Sequence, residues 1–197
     1  MPDKTASHTI NVYTKRDFYD RNHQFISSEW NKLGYDEFNE KYPYLNASLQ
    51  NPYDRFFVVC EDRNNKIIGY ASLSIFSEED LCKETKQVLS QYGNAFSYIA
   101  ISGLAVIPEY RGQGYSIEIM QKCVDFVKEH HKEENREIHY LKLSSFSKQG
   151  REKLISVVEK ISRKNTDVLI EYGFCDIEYL GLYAPGFSPS TELTLEA

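Results

Sequence analysis

Hydrophobic residues follow two different spacings along the first third of the chain, and each spacing predicts one kind of element. Residues 9–13 alternate as a strand does, whereas apolar and aromatic residues from Asp17 to Leu33 recur at helical intervals. Two β-rich runs, 56–60 and 66–73, flank a short polar turn. We therefore expect a strand, a helix and a β-hairpin in this order.

Aromatic residues are concentrated between that helix and the hairpin. The segment from Tyr35 to Tyr44 is bounded by Gly34 and contains Pro43, which predicts a second short helix with loops. Its aromatic side chains are interpreted either as packing or as the lining of a cleft. Further along, the polar and irregular residues 77–94 predict a surface insertion.

The middle of the chain reads as a strand, a glycine-containing turn and a helix. Strand character returns at 97–107, Pro108 closes the strand, and Gly112 and Gly114 lead into a helix. The apolar residues of this helix recur at steps of three and four and predict one buried face: Ile117, Met120, Val124 and Val127.

The last third predicts alternating strands and helices. Residues 138–143 read as a strand, and a helical stripe follows it, made of Leu154, Val157, Val158 and Ile161. Residues 167–172 are expected to add a helical turn that ends at Gly173, before a last strand pair within 174–183. The residues from 188 to 197 are expected to form a loose tail.

Length and composition indicate an ordinary globular protein. The 197 residues suffice for one buried core and favour a single domain over 1–197, and 41% hydrophobic and 26% charged residues exclude wholesale disorder. No apolar run reaches the roughly 20 residues that cross a bilayer, and the first residues lack the apolar core of a signal peptide. We expect a cytoplasmic location and no membrane partner.

The net charge and the spacing of the histidines argue against two further classes of protein, nucleic-acid binders and metal-binding proteins. A net charge of −6 argues against a general nucleic-acid binder. The histidines lack metal-ligand spacing, so no metal is expected. The cysteines show no CxxC spacing, and we expect free buried thiols rather than disulfides: Cys60, Cys82, Cys123 and Cys175.

The residues from Leu104 to Ser116 carry the clearest chemistry. A strand that ends in a glycine turn and enters a helix exposes unpaired N–H groups at the positive end of the helix dipole. Gly112 and Gly114 would let a diphosphate approach closely, and Arg111 adds positive charge. The segment is neither a Walker loop nor a three-glycine dinucleotide fingerprint. A tight connection that binds nothing is the alternative interpretation.

The pattern Leu104-Ala105-Val106-x-Pro108-x-Tyr110-Arg111-Gly112-x-Gly114 resembles the acetyl-CoA signature of the GCN5-related N-acetyltransferase (GNAT) superfamily. The resemblance implies an α/β fold of the GNAT type, with a central mixed β-sheet flanked by helices, and acetyl-CoA or another acyl-CoA as co-substrate. It also implies that the backbone of Leu104, Ala105 and Val106 pairs with the pantetheine arm. The diphosphate is then expected on Arg111, Gly112, Gln113, Gly114, Tyr115 and Ser116.

The same resemblance implies how an acyl group would be transferred. The Val106 N–H would polarise the thioester carbonyl, and an acceptor amine would attack it directly. The usual general acid of the family is a tyrosine four residues before the late glycine, where this chain has Leu169. Tyr172 is the nearest substitute, with packing as the alternative, and Ser102 is a candidate to bind a proton-relaying water. Ser116 replaces the usual glycine or alanine at the end of the loop.

These residues leave three functions open. The first is an N-acyltransferase acting on a primary amine of a small molecule, a peptide or a protein. The second is a catalytically silent acyl-CoA-binding sensor or interaction module, and the third is a structural domain that binds no cofactor. The negative net charge favours cationic acceptors. A homodimer is left open.

Overall fold

The computed structural model describes residues 7–75, 96–130, 138–145, 156–165, 168–174 and 179–183. The chain divides into two compact units. Unit 1 contains residues 1–74 and 102–123, and unit 2 contains residues 75–101 and 124–197. The expectation of a single domain stays a prediction.

Antiparallel strands form the sheet of unit 1. Strand β1 (His8–Thr14) pairs with β2 (Asp54–Asp62), which pairs with β3 (Ile67–Ile75). The turn between β2 and β3 is closed by the Asp62 carboxylate, which accepts from the N–H groups of Asn64 and Lys66 at 2.8 and 2.9 Å. The predicted first strand and hairpin are confirmed.

Helix α1 (Lys15–Lys41) covers this sheet and contains a break. Thr14 caps it, since the Thr14 side chain accepts from the Asp17 N–H at 3.1 Å. Gly34 has a left-handed φ of 73° inside the helix, so the boundary predicted there is confirmed. Helix α2 (Leu45–Gln50), by contrast, was not predicted.

Side chains on the two sides of Gly34 hold the bend closed. The Trp30 ring lies 5.0 Å from the Phe38 ring. The Lys41 ammonium donates to Glu29 at 2.7 Å, and the Tyr42 hydroxyl donates to the same carboxylate at 3.1 Å. The hydrogen bond from Lys41 holds the pKa of Glu29 below its usual value although burial opposes the shift. The same bond raises the pKa of Lys41.

These two shifts predict a pH window for the stability of the bend. A carboxyl with a lowered folded pKa stabilises the protein above its unfolded pKa and loses this contribution as the pH falls through the folded pKa. An amine with a raised pKa stabilises below its unfolded pKa and loses the contribution as the pH rises through the folded pKa. We expect Glu29→Gln to lower the free energy of unfolding by about 1–2 kcal/mol at pH 7 and by much less near pH 3. Denaturant unfolding at both pH values measures this.

A matched control for Glu29→Gln is Glu40→Gln. Glu40 is an exposed glutamate of the same helix, and its replacement is expected to change stability by less than about 0.5 kcal/mol at either pH. If Glu29→Gln lowered the free energy of unfolding as much at pH 3 as at pH 7, this result would contradict the assigned role of the ion pair.

The core of unit 1 lies between α1 and the sheet and is largely aromatic. Phe18 stacks on Phe57 at 4.5 Å, and Phe38 and Tyr42 are buried, so packing is the correct interpretation of these two members of the aromatic segment. Tyr35 and Tyr44 of that segment are exposed. The buried cluster also includes apolar residues from α2, from the strands and from the position just after β4: Leu45, Val59, Ile67, Ala105 and Ile107.

The predicted strand, turn and helix in the middle of the chain are confirmed. Strand β4 (Phe96–Val106) is followed by one 3-10 turn (Pro108–Tyr110) and then by helix α3 (Tyr115–His130). Three residues of the predicted apolar face of α3 are buried, namely Met120, Val124 and Val127, and Ile117 is half-buried.

Parallel and antiparallel pairing both occur in unit 2. The first residues of β4 pair in parallel with β5 (Ile138–Ser145), which pairs in parallel with β6 (Val168–Phe174). Strand β6 in turn pairs antiparallel with β7 (Tyr179–Tyr183). Residues 156–162 are helical. Their buried side chains belong to the predicted stripe: Val157, Val158 and Ile161.

One prediction for unit 2 was wrong. Residues 167–172 were expected to form a helical turn, but Val168–Phe174 is strand β6, paired on both edges. A short apolar run such as Val168-Leu169-Ile170 fits a fully buried strand as well as a helix, and spacing alone does not separate the two. The expected pair of closing strands exists, but its first member begins at Val168 rather than at Phe174.

The expected α/β fold with mixed strand pairing and flanking helices is confirmed by these elements. Cys60 and Cys123 are buried and are not joined in a disulfide, as expected. In the portion of the chain covered by the structure, no helix is both long and apolar enough to span a membrane. The predicted insertion 77–94, the tail 188–197 and Leu154 lie outside the described residues.

Candidate functional site

The site begins where β4 ends. The pairing of β4 with β5 runs from Phe96 to Ile101 and goes no further. Ala105 is buried against the core, whereas Leu104 and Val106 are half-buried. In the residues that the structure describes, β5 therefore leaves one edge of the Leu104–Val106 backbone unpaired. Such an edge can accept another extended chain.

Backbone and side-chain hydrogen bonds fix the chain as it leaves β4. The Ile107 N–H donates to Ile68 O of β3 at 2.9 Å, and Tyr110 N–H donates to Ile107 O at 2.9 Å. The Arg111 side chain folds back, and its Nε donates to Val106 O at 3.0 Å. This bond does not use the two terminal nitrogens of the guanidinium group. Arg111 thus makes a structural hydrogen bond while its positive charge stays exposed.

Gly112 and Gly114 both have left-handed backbone angles, with φ of 78° and 93°. A Cβ built on either residue would meet no atom of the described residues within 4 Å. The backbone conformation is thus one reason for glycine here, because an L side chain is strained at these angles. The space in front of both residues is open.

The backbone N–H groups of this loop form a row of hydrogen-bond donors. Ile117 and Glu118 donate their N–H groups to Gly114 O at 3.0 and 3.3 Å, which starts helix α3. Within the described ranges, no backbone carbonyl accepts from the five N–H groups of residues 112–116. These groups stand at the positive end of a 16-residue helix. Loop and helix together provide the donors that a phosphate group requires.

The Tyr115 ring belongs to the interior rather than to the loop surface. It is 6% exposed, and the His8 ring of β1 meets it edge-on at 5.1 Å. Burial, followed by the nearby Cys60 and Glu118, raises the pKa of the Tyr115 phenol. Burial likewise raises the pKa of the Cys60 thiol to about 12, so this cysteine is not a nucleophile near neutral pH. Tyr115 therefore contributes its backbone N–H group, rather than its phenol, to the donors of the loop.

A contact between β1 and α3 stabilises the first turn of the helix. His8 Nε2 lies 2.7 Å from the Glu118 carboxylate, which is 47% exposed. A carboxylate at this end of a helix is favourable for the helix dipole. Residues 8 and 118 are so far apart in the sequence that no motif pointed to this contact.

The two remaining loop residues differ in their surroundings. Ser116 is half-buried in the first turn of α3. Gln113 is partly exposed, yet its Oε1 atom is buried and finds no hydrogen-bond donor in the residues that the structure covers. Sequence analysis placed Gln113 among the residues expected to hold the diphosphate, and that role stays a prediction.

The structure describes the backbone of both catalytic candidates but not their side chains. Ser102 lies on β4, two residues before Leu104. Tyr172 lies on β6, where it is in register with Leu143 of β5 and Gly181 of β7. Leu169 occupies the same strand, opposite Tyr140. The catalytic roles of Ser102 and Tyr172 stay predictions.

Metal-ligand side chains do not cluster in the described part of the molecule. No group of three or more His, Cys, Asp or Glu residues is placed there to hold a metal ion. The expectation that no metal is needed stays a prediction, and the donors of the loop are backbone N–H groups and a guanidinium.

Several solved structures resemble the chain at low sequence identity. The glucosamine N-acetyltransferase region of a fungal multi-domain GH3 β-N-acetylglucosaminidase shares 19% identity at a TM-score of 0.48, over 79% of this chain and 17% of that one. YhbS from Escherichia coli in complex with CoA shares 15% identity at a TM-score of 0.35, over 66% of this chain and 61% of that one. NAA60 from Arabidopsis thaliana in complex with acetyl-CoA shares 15% identity at a TM-score of 0.46, over 78% of this chain and 86% of that one. The chain thus spans less than two thirds of the first two proteins.

Comparison with curated proteins gives no significant match. The family model of the acetyltransferase (GNAT) family, in contrast, matches residues 15–145. This range contains α1, the hairpin, β4, the glycine loop, α3 and β5, and it is more than half of the 197 residues. The chain therefore belongs to the GNAT family of acetyltransferases.

Proposed function

We propose that this protein transfers an acetyl group from acetyl-CoA to a primary amine of a small molecule, a peptide or a protein. The observation that carries the proposal is the row of five N–H groups at residues 112–116, at the start of α3, none of which donates to a backbone carbonyl in the part of the chain that the structure describes. Together with membership of the family, this row favours a diphosphate ligand.

Two parts of the chain would hold the co-substrate. The loop from Arg111 to Ser116 binds the diphosphate through its N–H groups and through the Arg111 guanidinium. The backbone of Leu104, Ala105 and Val106 pairs with the pantetheine arm along the edge that β5 leaves unpaired. Acetyl-CoA supplies an acetyl group that is activated as a thioester.

The remaining roles concern charge and protons. The Val106 N–H stabilises negative charge on the thioester carbonyl oxygen while the amine attacks. Tyr172 donates a proton to the departing thiolate, and Ser102 holds a water that removes a proton from the amine. The net charge of −6 raises the local concentration of cationic acceptors, which favours amines that carry additional positive charge.

A second candidate function is acyl-CoA binding without turnover. One feature of the sequence favours it, because Leu169 occupies the position where the family usually has its general-acid tyrosine. Detection of free thiol in the presence of acetyl-CoA and a panel of amines separates the two functions. Thiol release that depends on an amine supports the transferase, whereas binding without release for every amine supports the silent module.

Thermal unfolding with and without acetyl-CoA tests the binding step before any acceptor is known. A ligand present at about 100 times its dissociation constant, which binds only the folded state, adds roughly 2.7 kcal/mol of stability. For a domain of this size each kcal/mol raises the unfolding midpoint by about 2–4 °C. We therefore expect a rise of roughly 5–10 °C.

Nucleotides without a pantetheine arm are the control for this experiment. ATP and NAD share the phosphates but cannot pair with Leu104–Val106, so we expect a much smaller rise at equal concentration. A comparable rise with either would indicate a general phosphate-binding turn. No rise with acetyl-CoA, CoA or longer acyl-CoAs at millimolar concentration would overturn the proposed function.

A further inference from the structure

Tyr44 is an exposed aromatic residue in a strained backbone conformation. Its φ is 64°, in the left-handed region that a residue with a side chain rarely adopts. It stands directly before α2, and it is 40% exposed although Tyr42 and Leu45 on either side of it are buried. A strained residue persists only where its surroundings hold it, and such residues concentrate at functional sites.

Two contacts with β3 fix the chain on the two sides of Tyr44. The Tyr70 hydroxyl donates to the carbonyl oxygen of Pro43, the residue directly before Tyr44. On the other side, the hydroxyl groups of Ser48 and Ser72 share a buried hydrogen bond of 2.7 Å. The fold therefore holds the backbone of Tyr44 in its left-handed conformation and keeps part of its side chain at the surface.

Tyr44 lies beside β4, at the residue that precedes the edge proposed to pair with the pantetheine arm. A Cβ built on Gly103 would lie 3.2 Å from the Tyr44 Cβ, and 3.4 and 3.5 Å from the hydroxyl oxygens of Ser72 and Ser48. Gly103 is followed directly by Leu104–Val106, where the thioester would lie. An acceptor amine has to reach this edge to attack the thioester, and Tyr44 stands next to it.

The chemistry of Tyr44 and of its segment suits a cation. The face of an aromatic ring attracts ammonium groups. The one basic residue of segment 34–50 is Lys41, which is paired with Glu29 at 2.7 Å. Negative charge in the same segment raises the local concentration of cations. Its exposed carboxylates are three: Asp36, Glu37 and Glu40.

We propose that the ring of Tyr44 binds a positive charge of the acceptor other than the amine that attacks, so that the protein acts on amines with at least two cationic groups. The inference rests on the proposed function and narrows its acceptors to dicationic and polycationic amines. The attacking amine has to be neutral when it reacts, whereas a second ammonium group stays charged near neutral pH and can lie over the ring. The net charge of the chain attracts every cation, but a ring at this edge favours a cation that is joined to the reacting amine.

Two amines and two substitutions test this role of Tyr44. Pentylamine and cadaverine share the same carbon chain and differ in one ammonium group. We expect the wild type to prefer cadaverine, and Tyr44→Leu to lower kcat/KM for cadaverine about 3- to 30-fold, through KM, and much less for pentylamine. Tyr44→Phe keeps the ring face and is expected to keep the preference. Release of free thiol from acetyl-CoA measures the rates.

Tyr35→Leu is the matched control for Tyr44→Leu. Tyr35 is 65% exposed in the same aromatic segment, and its replacement should leave the preference for cadaverine unchanged. Isothermal titration calorimetry should give the wild-type affinity for acetyl-CoA in all three variants, which separates binding of the acceptor from binding of the co-substrate.

Three results would overturn the role of Tyr44. Equal kcat/KM of the wild type for cadaverine and pentylamine, or turnover of monoamines alone, would reject the acceptor class. An equal loss for both amines in Tyr44→Leu would show that Tyr44 serves the fold. A loss in Tyr44→Phe as large as in Tyr44→Leu would assign the effect to the hydroxyl rather than to the ring. Absence of thiol release by the wild type with every amine of the panel would instead reject the proposed transferase function.

Discussion

Replacing Gly114 by valine is expected to weaken the binding of acetyl-CoA by roughly 100-fold or more. At a φ of 93° a side chain strains the backbone by about 1–2 kcal/mol, so the loop would leave its present conformation. If it did not, the new methyl groups would fill the open space in front of the N–H groups. Either outcome removes at least two charge-assisted hydrogen bonds of about 1.5–3 kcal/mol each. Isothermal titration calorimetry measures the loss.

Gly34→Val controls for backbone strain alone. Gly34 also has a left-handed φ, of 73°, and a Cβ there would meet no atom of the described chain within 4 Å, but the residue lies in the bend of α1. We expect both variants to fold with a lower thermal midpoint and only Gly114→Val to lose affinity. Affinity that is unchanged in Gly114→Val, or lost equally in both variants, would refute the assignment of the loop.

Replacing Tyr172 by phenylalanine is expected to lower turnover roughly 10²- to 10⁴-fold if Tyr172 protonates the departing thiolate. The change removes one hydroxyl and little volume, so the affinity for acetyl-CoA should stay the same. Tyr172 lies on a strand paired on both sides, which gives its backbone a fixed position. Steady-state rates with a true acceptor, together with the dissociation constant, measure the effect.

Tyr19→Phe is the matched control for this variant. Tyr19 is 52% exposed on α1, and loss of its hydroxyl should change neither stability nor rate. Turnover of Tyr172→Phe at the wild-type level would return Tyr172 to a packing role and leave the thiolate to be protonated by water or by another residue.

The elements that sequence analysis predicted correctly are those with a local cause. The alternation of residues 9–13 and the polar turn after β2 act over a few residues, so strand and hairpin can be recognised without the rest of the chain. The glycine turn between β4 and α3 is predictable for the same reason. Its two glycines, the preceding proline and the following apolar stripe lie within the 20 residues from Pro108 to Val127.

Strand β6 and the contact between β1 and α3 were missed because they depend on distant partners. Residues 168–172 become a strand because β5 and β7 pair with both edges, and neither partner can be read from the run itself. The contact of His8 with Glu118 joins residues 110 positions apart. The unpaired oxygen of Gln113 is a property of the folded loop, because the sequence specifies the amide but not what surrounds it.

Gly69 illustrates how close packing near the loop restricts the evolution of this chain. A Cβ at residue 69 would lie 2.8 Å from Ala105 O, 2.9 Å from Ile119 Cδ1 and 3.3 Å from Val106 Cα. A shorter residue at position 119 could remove one of these obstacles. The other two belong to the backbone of β4 itself, which no exchange of side chains removes, and moving them would shift the edge proposed to bind the pantetheine arm. A compensating second substitution is therefore difficult to find, and we expect substitutions at position 69 to be poorly tolerated.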